Sequence, residues 1–413
     1  MLLGGVIVLV AVLSQRFLIS VDTGGRGEVS ALTLATLCLG AMSLFGRSGV
    51  PRRIDWGRLL VFWGPYWACV GLLPLFAVLF QSYPTRILFS SVTDALFPIA
   101  IVAIGAKMSC YLHQPTRALA AALAPAVFLV LGYAACQAAY SAGVLPPGLW
   151  APFAAWDRSV ADALGVVQGS RPSGPYVNPN ILGAWGALAF VLSATLMKGR
   201  LSRPLTMGAA VLTVFLAQSR GSFVALAAGA VVLVLMRGEG TGDRTGRIRA
   251  MLVAAAAAVV AGVVVGLMGG DLPGVSRFID GLASILPGST LDPSLAQRFD
   301  FWSGANVLIS IYPLGTFGPP EMLLGTAIDN DWIRIFLQAS MAGVAAVGVM
   351  LIGGAIFADR SRLCGRALTA CSVVVAVGAL TETPLTYPPI ALYWLLVGFC
   401  IVAPPVLEEA TYG

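Results

Sequence analysis

Charge is what this chain of 413 residues lacks most: Asp, Glu, Lys and Arg together make up 11% of it. A soluble domain carries about a quarter, so an ordinary soluble fold is excluded. Lysine is confined to Lys107 and Lys198, and histidine to His113. The remaining basic residues are scattered over short connections and form no stripe, which excludes soluble nucleic-acid binding. The glycine-rich stretch Gly238–Gly246 has neither a preceding strand nor the lysine of a phosphate loop, and reads as a flexible turn. There is no low-complexity segment and no internal repeat.

What fills the sequence instead is apolar: 58% of the residues are hydrophobic and the mean hydropathy is +0.87. Apolar segments run at about 1–20, 29–46, 59–80, 87–106, 118–140 and 178–197, then at about 204–218, 222–236, 250–269, 330–356, 367–383 and 389–405. By the length rule they predict an all-α polytopic membrane protein of about 12 transmembrane helices, one integral domain over 1–413. Met1-Leu2-Leu3 opens without a basic stretch, so the first segment is expected to span and not to be a cleaved signal. One set of loops carries Arg47, Arg52, Arg53 and Arg58; Lys107 and Arg117; Lys198, Arg200 and Arg203; Arg237, Arg244, Arg247 and Arg249; and Arg360, Arg362 and Arg366. That is most of the 25 basic residues, and the positive-inside rule puts this side and both termini in the cytoplasm.

The other side then holds two long connections, a first periplasmic loop at 141–177 and a large, partly helical one at 270–329 between the ninth and tenth segments. Long loops on a compact bundle usually carry function. The first, with Pro146-Pro147-Gly148-Leu149-Trp150 and Trp156, is apolar enough to lie along the interface. Cys38, Cys69, Cys110, Cys136, Cys364, Cys371 and Cys400 fall in apolar segments or cytoplasmic loops, so no extracytoplasmic disulfide is expected. With no His or Cys cluster outside, neither a metal site nor a catalytic histidine is expected there, and no cofactor.

The arginines expected outside are Arg26, Arg86, Arg158, Arg171, Arg220, Arg277, Arg298 and Arg334. Arg220 sits in Gln218-Ser219-Arg220-Gly221-Ser222, between two apolar runs of about fifteen residues. Each covers about 22 Å of a core of about 30 Å, so the turn dips below the surface with Arg220. A cation at that depth is usually kept to pair with something, and a helix start offers free N–H groups to an anion. Snorkelling to the headgroups is the plainer account. Arg298 falls in a short helix opened by Asp292-Pro293 and ended by Pro313, with Leu295, Phe299, Trp302 and Ile309 near one face. It can equally pair with Asp300 or Asp292. Asp329 and Asp331 open a helix, where carboxylates favour the dipole, and Asp331 stands three residues from Arg334, a pairing distance. Asp94 and Glu382 are further carboxylates inside or ending apolar runs.

Four stretches resemble the O-antigen ligase and polymerase superfamily: Gly174-Pro175-Tyr176-Val177-Asn178-Pro179-Asn180-Ile181-Leu182-Gly183, Ser219-Arg220-Gly221, Arg298 with Trp302 and Pro313-Leu314-Gly315, and Asp329-Asn330-Asp331-Trp332. They stand in the family's order over about 170–345. The resemblance implies metal-independent, inverting glycosyl transfer from a polyprenyl-diphosphate-linked oligosaccharide, at the membrane lipid surface. Arg220 and Arg298 would hold the diphosphate, and Asp329 would act on the acceptor hydroxyl where ligases keep a histidine. Asp331 or Glu321 could be the base instead. Arg171, Asn178, Asn180, Trp302, Arg334 and Asp331 complete the expected substrate residues. Gly315-Thr316-Phe317-Gly318 departs from the family's Gly-x-Gly. The missing histidine favours a polymerase of O-antigen, capsule or exopolysaccharide repeat units, working with a chain-length regulator and a flippase. The alternatives are a ligase using another acceptor, and a lipid or oligosaccharide transporter. Against a transporter, the charged residues gather at the outer face and not at the midplane.

Overall fold

The computed structural model describes residues 20–22, 28–30, 38, 55–81, 83, 84, 86–112, 114–146, 148, 149, 171–176, 178–237, 305–325, 328, 330–358, 362–386 and 389–402. The first two expected segments and the one at 250–269 fall almost wholly outside these residues. At the boundary of the first two lies a small antiparallel hairpin, β1 (Ser20–Asp22) with β2 (Glu28–Ser30), Val21 opposite Val29.

The rest of the described chain is helical. The segment expected at 59–80 is broken into α1 (Trp56–Phe62), α2 (Gly64–Gly71) and α3 (Leu73–Phe80). Pro65 and Pro74 each fall in the first turn after a break, where a missing backbone N–H costs nothing. Then come α4 (Arg86–Tyr111), α5 (Pro115–Ser141), α6 (Pro179–Leu196), α7 (Ser202–Ala217) and α8 (Arg220–Arg237). After a helical stretch at 305–311 and a single turn at Glu321–Leu324, the chain enters α9 (Asp331–Phe357), α10 (Leu363–Gly378) and α11 (Ile390–Cys400).

Three of these helices are long and apolar enough to cross a membrane: Pro115–Ser141, Pro179–Leu196 and Asp331–Ile356. A fourth span results if the bent pair Trp56–Phe62 and Gly64–Phe80, at 54°, counts as one. α7, α8, α10 and α11 are shorter apolar helices. This is a helical membrane protein.

Two helices form its middle. α6 is buried on almost every side, with Leu182, Trp185 and Leu192 fully enclosed, and α11 is buried from Ile390 to Phe399. A helix apolar all round needs neighbours all round. α6 has α5, α7, α8 and α10; α11 has α4 and α10; α9 packs on α10 and α2. Because each turn reverses the chain, the α3–α4 turn, the start of α6, the α7–α8 turn, the start of α9 and the α10–α11 turn share one end of the bundle.

Candidate active site

At that end, four chain segments meet in a polar knot. The first is the α7–α8 turn. α7 ends at Gln218, in the left-handed conformation (φ 51°), and α8 starts two residues later. Ser219 caps α8: its hydroxyl oxygen accepts the Ser222 N–H at 3.3 Å. The same Ser219 hydroxyl donates a short hydrogen bond to Glu382 Oε1, which also accepts from the Ser222 hydroxyl at 3.1 Å. Both serines are buried, and Arg220 between them is half-buried.

Glu382 belongs to the second segment, the α10–α11 connection, and is 2% exposed. A Cβ on Gly221 would lie 1.8 Å from Thr381 Oγ1 and 3.0 Å from Glu382 Oε1. Only a glycine lets this connection approach the turn so closely.

The third segment is the start of α9. Asn330 caps it, its Oδ1 accepting the Ile333 N–H at 3.0 Å while its Nδ2 donates to Leu380 O at 2.6 Å. The Asp331 N–H is shared between Ala379 O and Glu382 O, both at 3.0 Å. Asp331 Oδ2 accepts the Leu385 N–H at 2.7 Å. Asp331 Oδ1 is buried and has no hydrogen-bond partner among the described residues.

The fourth is the start of α6. Asn178 caps it by accepting the Asn180 N–H at 2.8 Å, with Pro179 at the first helical position. A Cβ on Gly183 would fall 2.3 Å from Ser222 Oγ, so the α6 backbone rests here directly on the Ser222 and Ser219 side chains. Just upstream, Gln137 on α5 accepts the Ser173 and Gly174 N–H groups at 3.0 and 2.8 Å, and residues 172–176 are buried. The later described end of the first long connection, residues 171–176, is therefore a packed plug, while Trp150 and Trp156, on which the expectation of a stretch along the interface rests, lie outside the described residues. From the plug Arg171 Nη1 donates to Gln218 O at 3.3 Å, a carbonyl left over by the end of α7.

The return of the large connection docks nearby. α9 is not the continuous helix its sequence suggests: Ala339 (φ −135°) and Ser340 (φ 53°) interrupt it. The Leu337 and Gln338 carbonyls accept the Thr316 and Phe317 N–H groups, both at 2.8 Å. Gly315 (φ 98°) and Phe317 (φ 56°) shape that turn. Phe317 stands at the third position of Gly315-Thr316-Phe317 and holds a left-handed conformation that suits glycine. The Tyr83 ring lies against Gly318, and burial pushes its hydroxyl up to about 12, which keeps it neutral.

Of the residues expected at the site, Arg171, Asn178, Asn180, Arg220 and Asp331 converge on this knot. Arg334 Nε pairs with Glu321 Oε1 at 2.6 Å, and Asp331 Oδ2 accepts the Leu385 N–H that the α10–α11 connection offers. One expectation is corrected: the start of α8 is less open than a bare helix end, since Ser219 caps it and Glu382 sits against it. Arg298, Trp302 and Asp329 lie outside the described residues, as does the side chain of Asp94 within α4. Sequence reasoning underrated Glu382 and missed its serines. The one signal was a carboxylate closing an apolar run at Thr381-Glu382-Thr383.

Helical spans that close over a buried polar knot at one end define a polytopic membrane protein with a candidate site at its rim. Residues 205–332 match the family described as O-antigen ligase. That match supports a likeness of this region to the O-antigen ligase and polymerase superfamily. No curated protein matches the chain.

Proposed function

We propose that the protein joins polyprenyl-diphosphate-linked oligosaccharide repeat units into a polysaccharide at the periplasmic face of a bacterial cytoplasmic membrane. The twelve-helix plan, with both termini in the cytoplasm, is part of this reading. One observation carries it: the two ends of the matched stretch 205–332, the Ser219-Arg220-Gly221 turn and the Asn330-Asp331 helix start, meet at Glu382. A cation and a carboxylate far apart in sequence thereby reach one rim.

The chemistry needs little more. Diphosphate is a good leaving group, and arginines can take its developing charge through paired N–H donors, so metal-independent transfer is feasible. Arg220 is assigned to the diphosphate together with Arg298, with Arg171 close by. A base must remove the proton of the acceptor hydroxyl, and direct displacement then inverts the anomeric carbon. Asp329 keeps that role by position. Of the alternatives, Glu321 is paired through Oε1 with Arg334 and Asp331 through Oδ2 with the Leu385 N–H, and each keeps a second oxygen with no partner among the described residues; Asp331, whose N–H is held by the Glu382 carbonyl beside the Arg220 turn, is the stronger alternative.

The test is to incubate purified protein with a polyprenyl-diphosphate oligosaccharide and a chelator, and to look for a ladder of repeats. Arg220→Ala, Arg298→Ala and Asp329→Asn should each abolish extension in folded protein. Activity surviving in Asp329→Asn but lost in Asp331→Asn moves the base to Asp331. A second reading is favoured by the description of the matched family: ligase-type transfer to a different acceptor. A single addition to a non-repeat acceptor, without a ladder, would establish it. Flux across vesicles with no transfer would point to a transporter.

A further inference from the structure

The mechanism above leaves one buried carboxyl group without a task. Glu382 is 2% exposed, and its Oε1 takes hydrogen bonds from Ser219 and Ser222, the residues on either side of Arg220-Gly221. Its backbone carbonyl accepts the Asp331 N–H at 3.0 Å. Side chain and main chain of one residue therefore reach both the cation-bearing turn and the start of α9. A buried carboxyl is costly to desolvate, and apolar side chains in place of the whole set, Glu382 with its two serines, would fill the same space without that cost.

We propose that Glu382 is a positioning residue for Arg220: through Ser219 and Ser222 it sets the turn so that the Arg220 guanidinium faces the lipid diphosphate. The inference rests on the diphosphate reading of the site. Glu382 itself makes no contact with substrate in this scheme. The hydroxyls fix the first turn of α8, and Gly221 keeps the space through which Thr381 and Glu382 approach. What matters is an acceptor oxygen at that point, which a glutamine also supplies.

Binding of undecaprenyl diphosphate to the full chain in lipid nanodiscs tests this without depending on the acceptor. Glu382→Met should weaken binding about tenfold, the loss of one well-placed charge-assisted contact, and should lower the unfolding midpoint by a few degrees, because the buried Ser219 hydroxyl loses its acceptor. Glu382→Gln should keep most of the affinity. Arg220→Ala combined with Glu382→Met should bind no worse than Arg220→Ala alone, because one acts through the other. Should Glu382→Met fail to fold, Ser219→Ala replaces it, with the same loss and the same non-additivity expected. Wild-type affinity in the folded Met variant, or additive losses in the double variant, overturns the inference and leaves the diphosphate reading standing. No binding by the unsubstituted protein overturns the diphosphate reading, and this inference with it.

Discussion

Replacing Gly221 by alanine sets two opposed effects against each other. Gly221 is the second residue of α8, where alanine is favoured over glycine by up to about 1 kcal/mol. Without neighbours, the substitution would stabilise. The added Cβ, however, would lie 1.8 Å from Thr381 Oγ1 and 2.9 Å from Thr381 Cβ. A rotamer change can move Oγ1 but not Cβ, so the α10–α11 connection must shift from the turn. Overpacking of this kind typically costs about 1–3 kcal/mol, leaving a net loss of up to about 2 kcal/mol once the full helix-propensity gain is set against it. Nine tryptophans make unfolding followed by intrinsic fluorescence practical. Gly221→Ala should lower the midpoint by a few degrees and weaken diphosphate binding, since the turn it moves carries Arg220. Thr381→Ala in the same protein removes the nearest atom but leaves Cβ, so recovery should be partial. A Gly221→Ala protein that unfolds at or above the wild-type midpoint, with binding intact, would refute the close approach.

Three further outcomes follow from the same geometry. Asn330→Ala loses both the cap on α9 and the tether to Leu380 O; a cap alone is worth about 1 kcal/mol, and hydrogen exchange should speed up through the first turn of α9. Glu321→Gln and Arg334→Met, taken singly and together in a double-mutant cycle of unfolding midpoints, should show coupling of about 1 kcal/mol, since both side chains are only partly exposed; zero coupling would mean that the pair is incidental. Ser340, at φ 53° and ψ −153°, occupies a conformation that suits glycine, at a cost of about 1–3 kcal/mol. Ser340→Gly should therefore raise the midpoint even after the entropy glycine adds to the unfolded chain, and a fall would show that the serine hydroxyl is doing something else.

Helix positions were readable because apolar run length is a strong, local signal. The segments expected at 118–140, 178–197 and 330–356 correspond to helices Pro115–Ser141, Pro179–Leu196 and Asp331–Phe357. Asn178 and Asn330 cap their helices as their side chains suggest. The breaks were harder. Pro65 and Pro74 interrupt one segment, whereas Pro98 and Pro125 lie within α4 and α5, so the residue type alone decides nothing. The break at Ala339-Ser340 has no proline or glycine at it, and depends on N–H groups delivered by Thr316 and Phe317 more than twenty residues earlier. At the site, Arg220 stood out because a cation in an apolar setting is conspicuous. Its connection to Glu382 did not, because Ser219 and Glu382 are 163 residues apart and no periodicity spans that gap.

Where the polar groups gather bears on which activity they can serve. Carrying a substrate across a bilayer calls for polar side chains near the middle of the span, reachable from both faces in turn. Here Ser219, Ser222, Glu382, Asn330 and Asp331 instead lock three helix ends together by hydrogen bonds at one end of the bundle. Alternating access would have to break those bonds in every cycle, leaving buried groups without partners at about 1–3 kcal/mol each. Group transfer asks for the reverse: a cation and a base held still relative to each other while a lipid-borne donor and an acceptor come to them. A rim fastened through the side chain and the main chain of the same glutamate suits that requirement better than it suits alternating access.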